Sequence, residues 1–196
     1  SEEAVLIKAM RDSNLPKFLA ADLPLYRAIL RDLFPGVEVP NNKNIELENE
    51  LLEQTEASRL QAVPGFIKKV VEVFDMFNVR FGACIVGPAG SGKSSIIKVL
   101  RTSLSSLFKG GMVHDAIKLT ETFVMNPKAI TMGELYGEYN LLSQEWTDGL
   151  GSGIMRNCMR LANDIPDVIR WCIFDGPIDA VWIENMNTVL DDNCML

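Results

Sequence analysis

Residues 81–94 read FGACIVGPAGSGKS. The first six, Phe81 to Val86, are a short apolar run without helical spacing, closed by a glycine-rich turn, and predict a buried strand. Gly87 to Ser94 then match G-x-x-x-x-G-K-[ST] in full. Glycines let a backbone wrap closely round a phosphate chain, so that successive N–H groups point inward. Behind the turn Ile96, Ile97, Leu100, Leu104 and Leu107 recur at helical spacing up to Gly110-Gly111. A helix starting near Lys93 adds the positive end of its dipole. Gly87, Pro88, Ala89, Gly90, Ser91, Gly92, Lys93 and Ser94 are therefore the expected nucleotide cradle. Lys93 would bridge the β- and γ-phosphates, and the Ser94 hydroxyl would ligate Mg²⁺. At average glycine usage of about 7%, a chance match in a chain this long arises roughly once in a hundred. The competing reading, a glycine turn with an incidental lysine, leaves the flanking strand and helix unexplained. ATP or ADP with Mg²⁺ is the expected ligand.

Downstream, Val113 to Val124 holds an alternating stretch (Val113, Asp115, Ile117, Leu119) that suggests a second strand. Ile154 to Leu161 has helical spacing, Val168 to Phe174 (VIRWCIF) predicts a further buried strand, and Val181 to Leu190 a further helix. Strands alternating with helices predict an α/β fold, a P-loop nucleoside-triphosphatase domain with a parallel sheet flanked by helices. A phosphate loop needs a metal-organising Asp at the end of another strand, and Asp175 stands there. A helix N-cap is its plainer alternative. Many ATPases place Glu directly after this Asp, as the base that activates the attacking water. Here the next residues are Gly176 and Pro177, and glycine accepts no proton. Asp179 and Glu184 could substitute, but each reads more simply as a solvated or dipole-facing carboxylate. The expected behaviour is nucleotide binding with slow or absent hydrolysis and no assigned catalytic residue. A competent P-loop ATPase or nucleotide kinase is the rival.

Upstream, the first 80 residues read as helix after helix. Glu2 and Glu3 sit in a first turn ahead of Val5, Leu6, Ala9 and Met10. Pro24 opens a helix over Leu25 to Phe34 that Pro35-Gly36 stops. A polar connection spans 38–45. Leu47, Leu51 and Leu52 mark an amphipathic helix running toward Pro64, and Phe66, Val70, Phe74 and Phe77 another. The expected division is a helical lead-in over 1–62 and the nucleotide-binding domain over 63–196. Of 196 residues, 47% are hydrophobic and no apolar run approaches 18, which excludes intrinsic disorder and a membrane-spanning helix. Acidic residues number 26 against 19 basic, a formal net charge of −7, so nucleic acid is a poor partner. Cys84, Cys158, Cys172 and Cys194 are scattered and His114 is the single histidine, so zinc and disulfide frameworks lack material. Ser1 where a start Met would stand, and a close at Leu196 just after Asp191-Asp192, suggest a piece of something longer.

Four stretches carry a family resemblance: the phosphate loop with its LRTS helix, Asn126 to Asn140 (NPKAITMGELYGEYN), Glu145 to Gly149 (EWTDG) and Phe174 to Asn193 (FDGPIDAVWIENMNTVLDDN). Together with MRDSNLPKFLAADLPLY and RDLFPGVEVP in the lead-in, they resemble a dynein heavy chain across essentially the whole sequence. The likeness is to its second AAA+ module, entered from the first, and the wording of NPKAITMGELYGE and FDGPIDAVWIENMN leans toward the axonemal type. The resemblance implies six AAA+ modules in one polypeptide, the first hydrolysing ATP for motility and the second a nucleotide-retaining, regulatory or structural site that supports regulation of the motor ring. Gly87 to Ser94 match the family's phosphate loop, Asp175 its metal-side Asp, and Gly176 its lack of a catalytic Glu. It also implies neighbouring AAA+ modules and dynein subunits as partners, an indirect link to the microtubule, and a place in the ciliary axoneme. Cys194-Met195-Leu196 departs from the basic pair usual after LDDN. The lid subdomain and the neighbour's arginine that close such a site lie outside the chain.

Other residues have plainer roles. Trp146 and Asp148 read as an aromatic anchor and a turn aspartate. Trp171 and Trp182 read as packing, Lys128 as a solvated lysine after a proline turn, and Cys84 and Cys172 as small hydrophobes inside strands. His114 has no assigned role. Val63-Pro64 and Phe66 precede the first expected strand, where an adenine could rest or ordinary core could form.

Overall fold

The computed structural model describes residues 2–19, 21–37 and 44–190. Most of the polar connection at 38–45, and the ending from Asp191 to Leu196 with Cys194, lie outside the described residues. The chain forms two compact units, Ser1–Leu100 and Arg101–Leu196.

The first unit is helical. Helix α1 (Glu2–Asn14) carries Glu2 and Glu3 in its first turn, where acids complement the dipole, and passes into a 3-10 turn at Leu15–Lys17. Helix α2 (Leu23–Leu33) starts one residue before Pro24 and ends ahead of Pro35-Gly36. Its Tyr26 hydroxyl donates to Met10 O at 2.9 Å, tying α2 to α1. Helix α3 (Ile45–Ala57) is capped by Asn44, whose side chain accepts the Leu47 N–H at 3.1 Å. It packs on α4 (Pro64–Val79), with Leu47, Leu51, Val70 and Phe74 buried. The α4 face is rotated from the expected stripe: Ile67 and Val73 are buried, whereas Phe66 and Phe77 are half-buried.

The expected strand at 81–86 does not form. Among the described residues nothing pairs with it, and Phe81 and Val86 are 62% and 75% exposed. Cys84, expected inside a strand, is exposed. A strand exists through its ladder, and apolar composition alone does not supply one. Helix α5 (Lys93–Lys109) comes after the loop, with Ile96, Leu100 and Leu104 buried as their spacing predicts, Val99 buried in addition, and Ile97 and Leu107 only half-buried.

In the second unit strand β1 (Leu119–Met125) pairs in parallel with a later strand, Val168–Phe174. The alternation from Val113 belongs instead to a tight turn: Val113 is 99% exposed, and His114 Nδ1 accepts the Ala116 N–H at 3.1 Å. Residues between the paired strands make the crossover that a parallel pair requires. Helix α6 (Met132–Tyr136) opens with a Thr131–Glu134 capping box. A small antiparallel hairpin comes next, β2 (Gly137–Tyr139) with β3 (Trp146–Asp148), then α7 (Leu150–Asp164). Asp148 fixes the hairpin root, accepting Trp146 Nε1–H at 2.7 Å and the Arg156 guanidinium at 2.7 and 2.8 Å. Asp148, expected in a turn, thus lies in a strand and ties it to α7, and Trp146, expected as an anchor, is exposed and packs edge-on against Tyr139 at 5.0 Å.

Strand β4 (Val168–Phe174) falls where expected and is half-buried throughout. Glu121 and Arg170, opposite each other in register, pair at 3.3 Å. Burial, with Cys158 of α7 alongside, pushes the Cys172 thiol up to about 12. Beyond β4 the expected single helix is two short ones, α8 (Ala180–Glu184) and α9 (Asn187–Leu190). The core here is Met125, Leu135, Trp182 and Met186, with Trp182 stacked on Phe174 at 5.6 Å and its Nε1–H donated to Pro177 O at 3.2 Å. No helix of the described residues is long and apolar enough to cross a membrane.

Asp179 caps α8 by accepting the Val181 N–H at 2.9 Å, and it also pairs with Lys128. The Lys128 hydrogen bond, then the Val181 N–H, hold its carboxyl below the ordinary range. Lys128 is therefore a structural partner rather than a free surface charge.

This packing has two measurable outcomes. Leu135 is fully buried, so Leu135→Ala should cost about 2–5 kcal/mol in denaturant unfolding monitored by Trp fluorescence. Because the folded Asp179 value is depressed, its stabilising effect is present above the unfolded value and lost as pH falls through the folded one. Lys128→Ala should move the Asp179 titration upward, read from its carboxyl carbon by NMR. An unmoved titration would show that the pair does not form in solution.

Candidate nucleotide site

The phosphate loop lies in the first unit, between the unpaired run at 81–86 and the first turn of α5. Gly90 and Gly92 have φ of +79° and +88°, a region in which a Cβ clashes with its own backbone. At Gly87 a methyl group would stand 2.7 Å from Ser91 Oγ. The loop therefore favours glycine at the motif position 92 and at 90, which the motif leaves open, and a Cβ at the motif position 87 would require the Ser91 hydroxyl to turn away. Ser91 N–H donates to Pro88 O at 3.3 Å to close the turn, and Ile96 N–H reaches Gly92 O at 2.9 Å to start the helix.

Lys93 folds back over this loop. Its ammonium donates to Gly87 O and Pro88 O, both at 2.8 Å, and to Ser91 Oγ at 3.4 Å. Every one of these partners is neutral, and among the described residues no carboxylate pairs with Lys93. A cation held only by carbonyl and hydroxyl oxygens keeps its charge available to an anion. Ser94 is exposed one residue into α5, and Gly87 to Ser91 are exposed around it. The α5 N-terminus aims its free N–H groups into the same turn. These residues fit a polyphosphate.

Phe66, in the first turn of α4, lies beside the loop: a methyl at Gly92 would come 3.9 Å from its ring. Val63 ahead of it is half-exposed. Among the described residues, this approach of Phe66 is what relates the expected adenine rest to the loop.

Asp175 lies in the second unit, one residue past β4, exposed, with its N–H donated to Met125 O at 2.8 Å. It does not cap α8, since Asp179 does. Gly176 is half-buried behind it. Glu184 ends α8 exposed, and Asp179 is engaged with Lys128 and Val181. Among the described residues no three His, Cys, Asp or Glu side chains gather into a ready-made metal cluster. The hairpin and α6 escape the sequence reading, although Thr131-x-x-Glu134 is a capping-box signature and Gly137 and Asp148-Gly149 are turn signals.

A family model described as "Hydrolytic ATP binding site of dynein motor region" matches residues 1–94, so the match takes in the lead-in and the whole phosphate loop and stops before Asp175. Dynein axonemal heavy chain 6 of Homo sapiens is 44% identical over 196 residues, the full chain and 5% of that protein. Dynein axonemal heavy chain 3 of Mus musculus is 45% identical over 193 residues, 98% of this chain and 5% of its own. Dynein axonemal heavy chain 2 of Homo sapiens is 42% identical over the full chain and 4% of its own. The chain spans about a twentieth of the length of these relatives. Identity above 40% runs across both units, beside a phosphate-loop motif with two positive-φ glycines: over its full length the chain is similar to the AAA motor region of dynein heavy chains.

Proposed function

We propose that this segment is the second AAA+ module of an axonemal dynein heavy chain, entered from the first, and that it holds ATP or ADP with Mg²⁺ while hydrolysing it little. The observation that carries the reading is the loop geometry, with Lys93 donating only to neutral oxygens of its own turn. In use, phosphate oxygens would replace Gly87 O, Pro88 O and Ser91 Oγ as its acceptors. Ser94 would supply a hydroxyl, and Asp175 a carboxylate, to the Mg²⁺ that neutralises the phosphates. Retention follows from Gly176, which offers no proton acceptor next to Asp175. The module would act within the ring of the parent motor, against neighbouring AAA+ modules and other dynein subunits, in the axoneme of a cilium. Any link to the microtubule would run through the rest of the heavy chain.

A second reading, a working ATPase, draws on the description of the matching family model as a hydrolytic site. Phosphate release separates the two. A positioned base contributes about 10²–10⁴-fold, so a retained-nucleotide module should turn over near background while saturated with ATP. Turnover at the first module's rate would establish the second reading and require another carboxylate as base.

Lys93→Ala should weaken Mg·ATP binding roughly ten- to hundredfold, from loss of a charge-assisted contact of about 1.5–3 kcal/mol. Calorimetric titration checks this, and unchanged affinity would remove the site. Ser94→Ala and Asp175→Asn should weaken Mg·ATP more than metal-free ATP. An equal loss with and without EDTA would make both residues supports of the fold alone.

A further inference from the structure

Position 176, next to the carboxylate of Asp175, is more crowded than its glycine suggests. A methyl group built on Gly176 would stand 2.7 Å from Asn126 Oδ1, 3.2 Å from Pro127 Cδ and 3.5 Å from Asn126 Cγ. Gly176 does not lie in the left-handed region, so alanine is conformationally permitted there and the obstacle is the neighbouring turn alone. Asn126 is poorly placed to swing aside. Its Oδ1 accepts the Lys128 N–H at 3.0 Å and its carbonyl accepts the Ala129 N–H at 3.1 Å, which makes the stretch from Asn126 to Ala129 a closed Asx turn. Pro127 is rigid by its ring. The two chains cannot separate easily either, because Met125 and Phe174 are the last pair of the ladder and the Asp175 N–H extends it to Met125 O at 2.8 Å.

Resting on the reading of Asp175 as the metal-side carboxylate, we propose that Asn126 and Pro127 keep position 176 clear of any side chain and so exclude a base beside Asp175 by shape. Asn126 is then a positioning residue of the site: it acts on the reaction through what it denies its neighbour. The same turn disarms the next carboxylate along the chain. Lys128, two residues on, pairs with Asp179, which in turn accepts the Val181 N–H that starts α8. A return of glutamate at 176 therefore needs a change at 126 as well, and one substitution does not recover a hydrolytic site.

Hydrogen exchange across residues 126–130 tests this in the parent heavy chain. Gly176→Ala should break the Asx turn and speed exchange of the Lys128 and Ala129 amides about tenfold, the fold-change that goes with one lost hydrogen bond. In an Asn126→Ala background the 2.7 Å obstacle is gone and only the 3.2 Å approach to Pro127 Cδ remains, so adding Gly176→Ala should change the Ala129 amide, whose acceptor is the backbone carbonyl at 126, by less than about twofold. Folding of Gly176→Ala only in the Asn126→Ala background would support the proposal equally. Wild-type exchange in Gly176→Ala, or an undiminished effect of that change in the Asn126→Ala background, would overturn it. Failure to fold in both backgrounds would overturn it too, since the obstacle would then not be Asn126. Phosphate release from the unmodified module reports separately on whether nucleotide is retained, so the two readings fail by different measurements.

Discussion

Everything at the Asp175 end of the molecule depends on the parallel pairing of β1 and β4. Two parallel strands leave their sheet at the same edge, so the residues just beyond each are brought side by side whatever their types. Met125↔Phe174 is the last pair in register, and from there Asn126 and Asp175 diverge only as far as their own turns allow. The crossover between the strands must then be long, and α6, the β2–β3 hairpin and α7 fill it. Leu135 from that crossover closes the core with Met125, Trp182 and Met186, so the residues that hold the strands together also orient α8 and α9 beyond β4.

Local pattern and chemistry made part of this legible. In Gly87 to Ser94 the motif glycine at 92 has the positive φ that favours glycine, as does Gly90 at a position the motif leaves open. VIRWCIF reads as a strand at its true bounds because β-branched and aromatic residues between turn formers have few other uses. Helix α5 keeps its apolar face for the same local reason.

The illegible part depended on partners. Phe81 to Val86 has the composition of a strand and no ladder among the described residues, and Val113 to Ile117 alternates without being extended, since His114 turns the chain back on itself. The crowding at Gly176 arises from Asn126, 50 positions earlier, and no window of sequence reports a contact across a sheet edge. Lys128 reads as a solvated lysine for the same reason: its partner Asp179 is distant in the chain and near only because the strands are parallel.

The run at 81–86 has a consequence for handling the segment by itself. A stretch without a ladder among the described residues, with exposed Phe81, Cys84 and Val86, offers both apolar surface and extended backbone, the two ingredients of strand addition between molecules. Self-association through it would be second order in protein, so the associated fraction should rise with concentration while both units stay folded. Dilution would protect the 196-residue chain better than cooling, because the hydrophobic part of that attraction weakens only slowly as temperature drops.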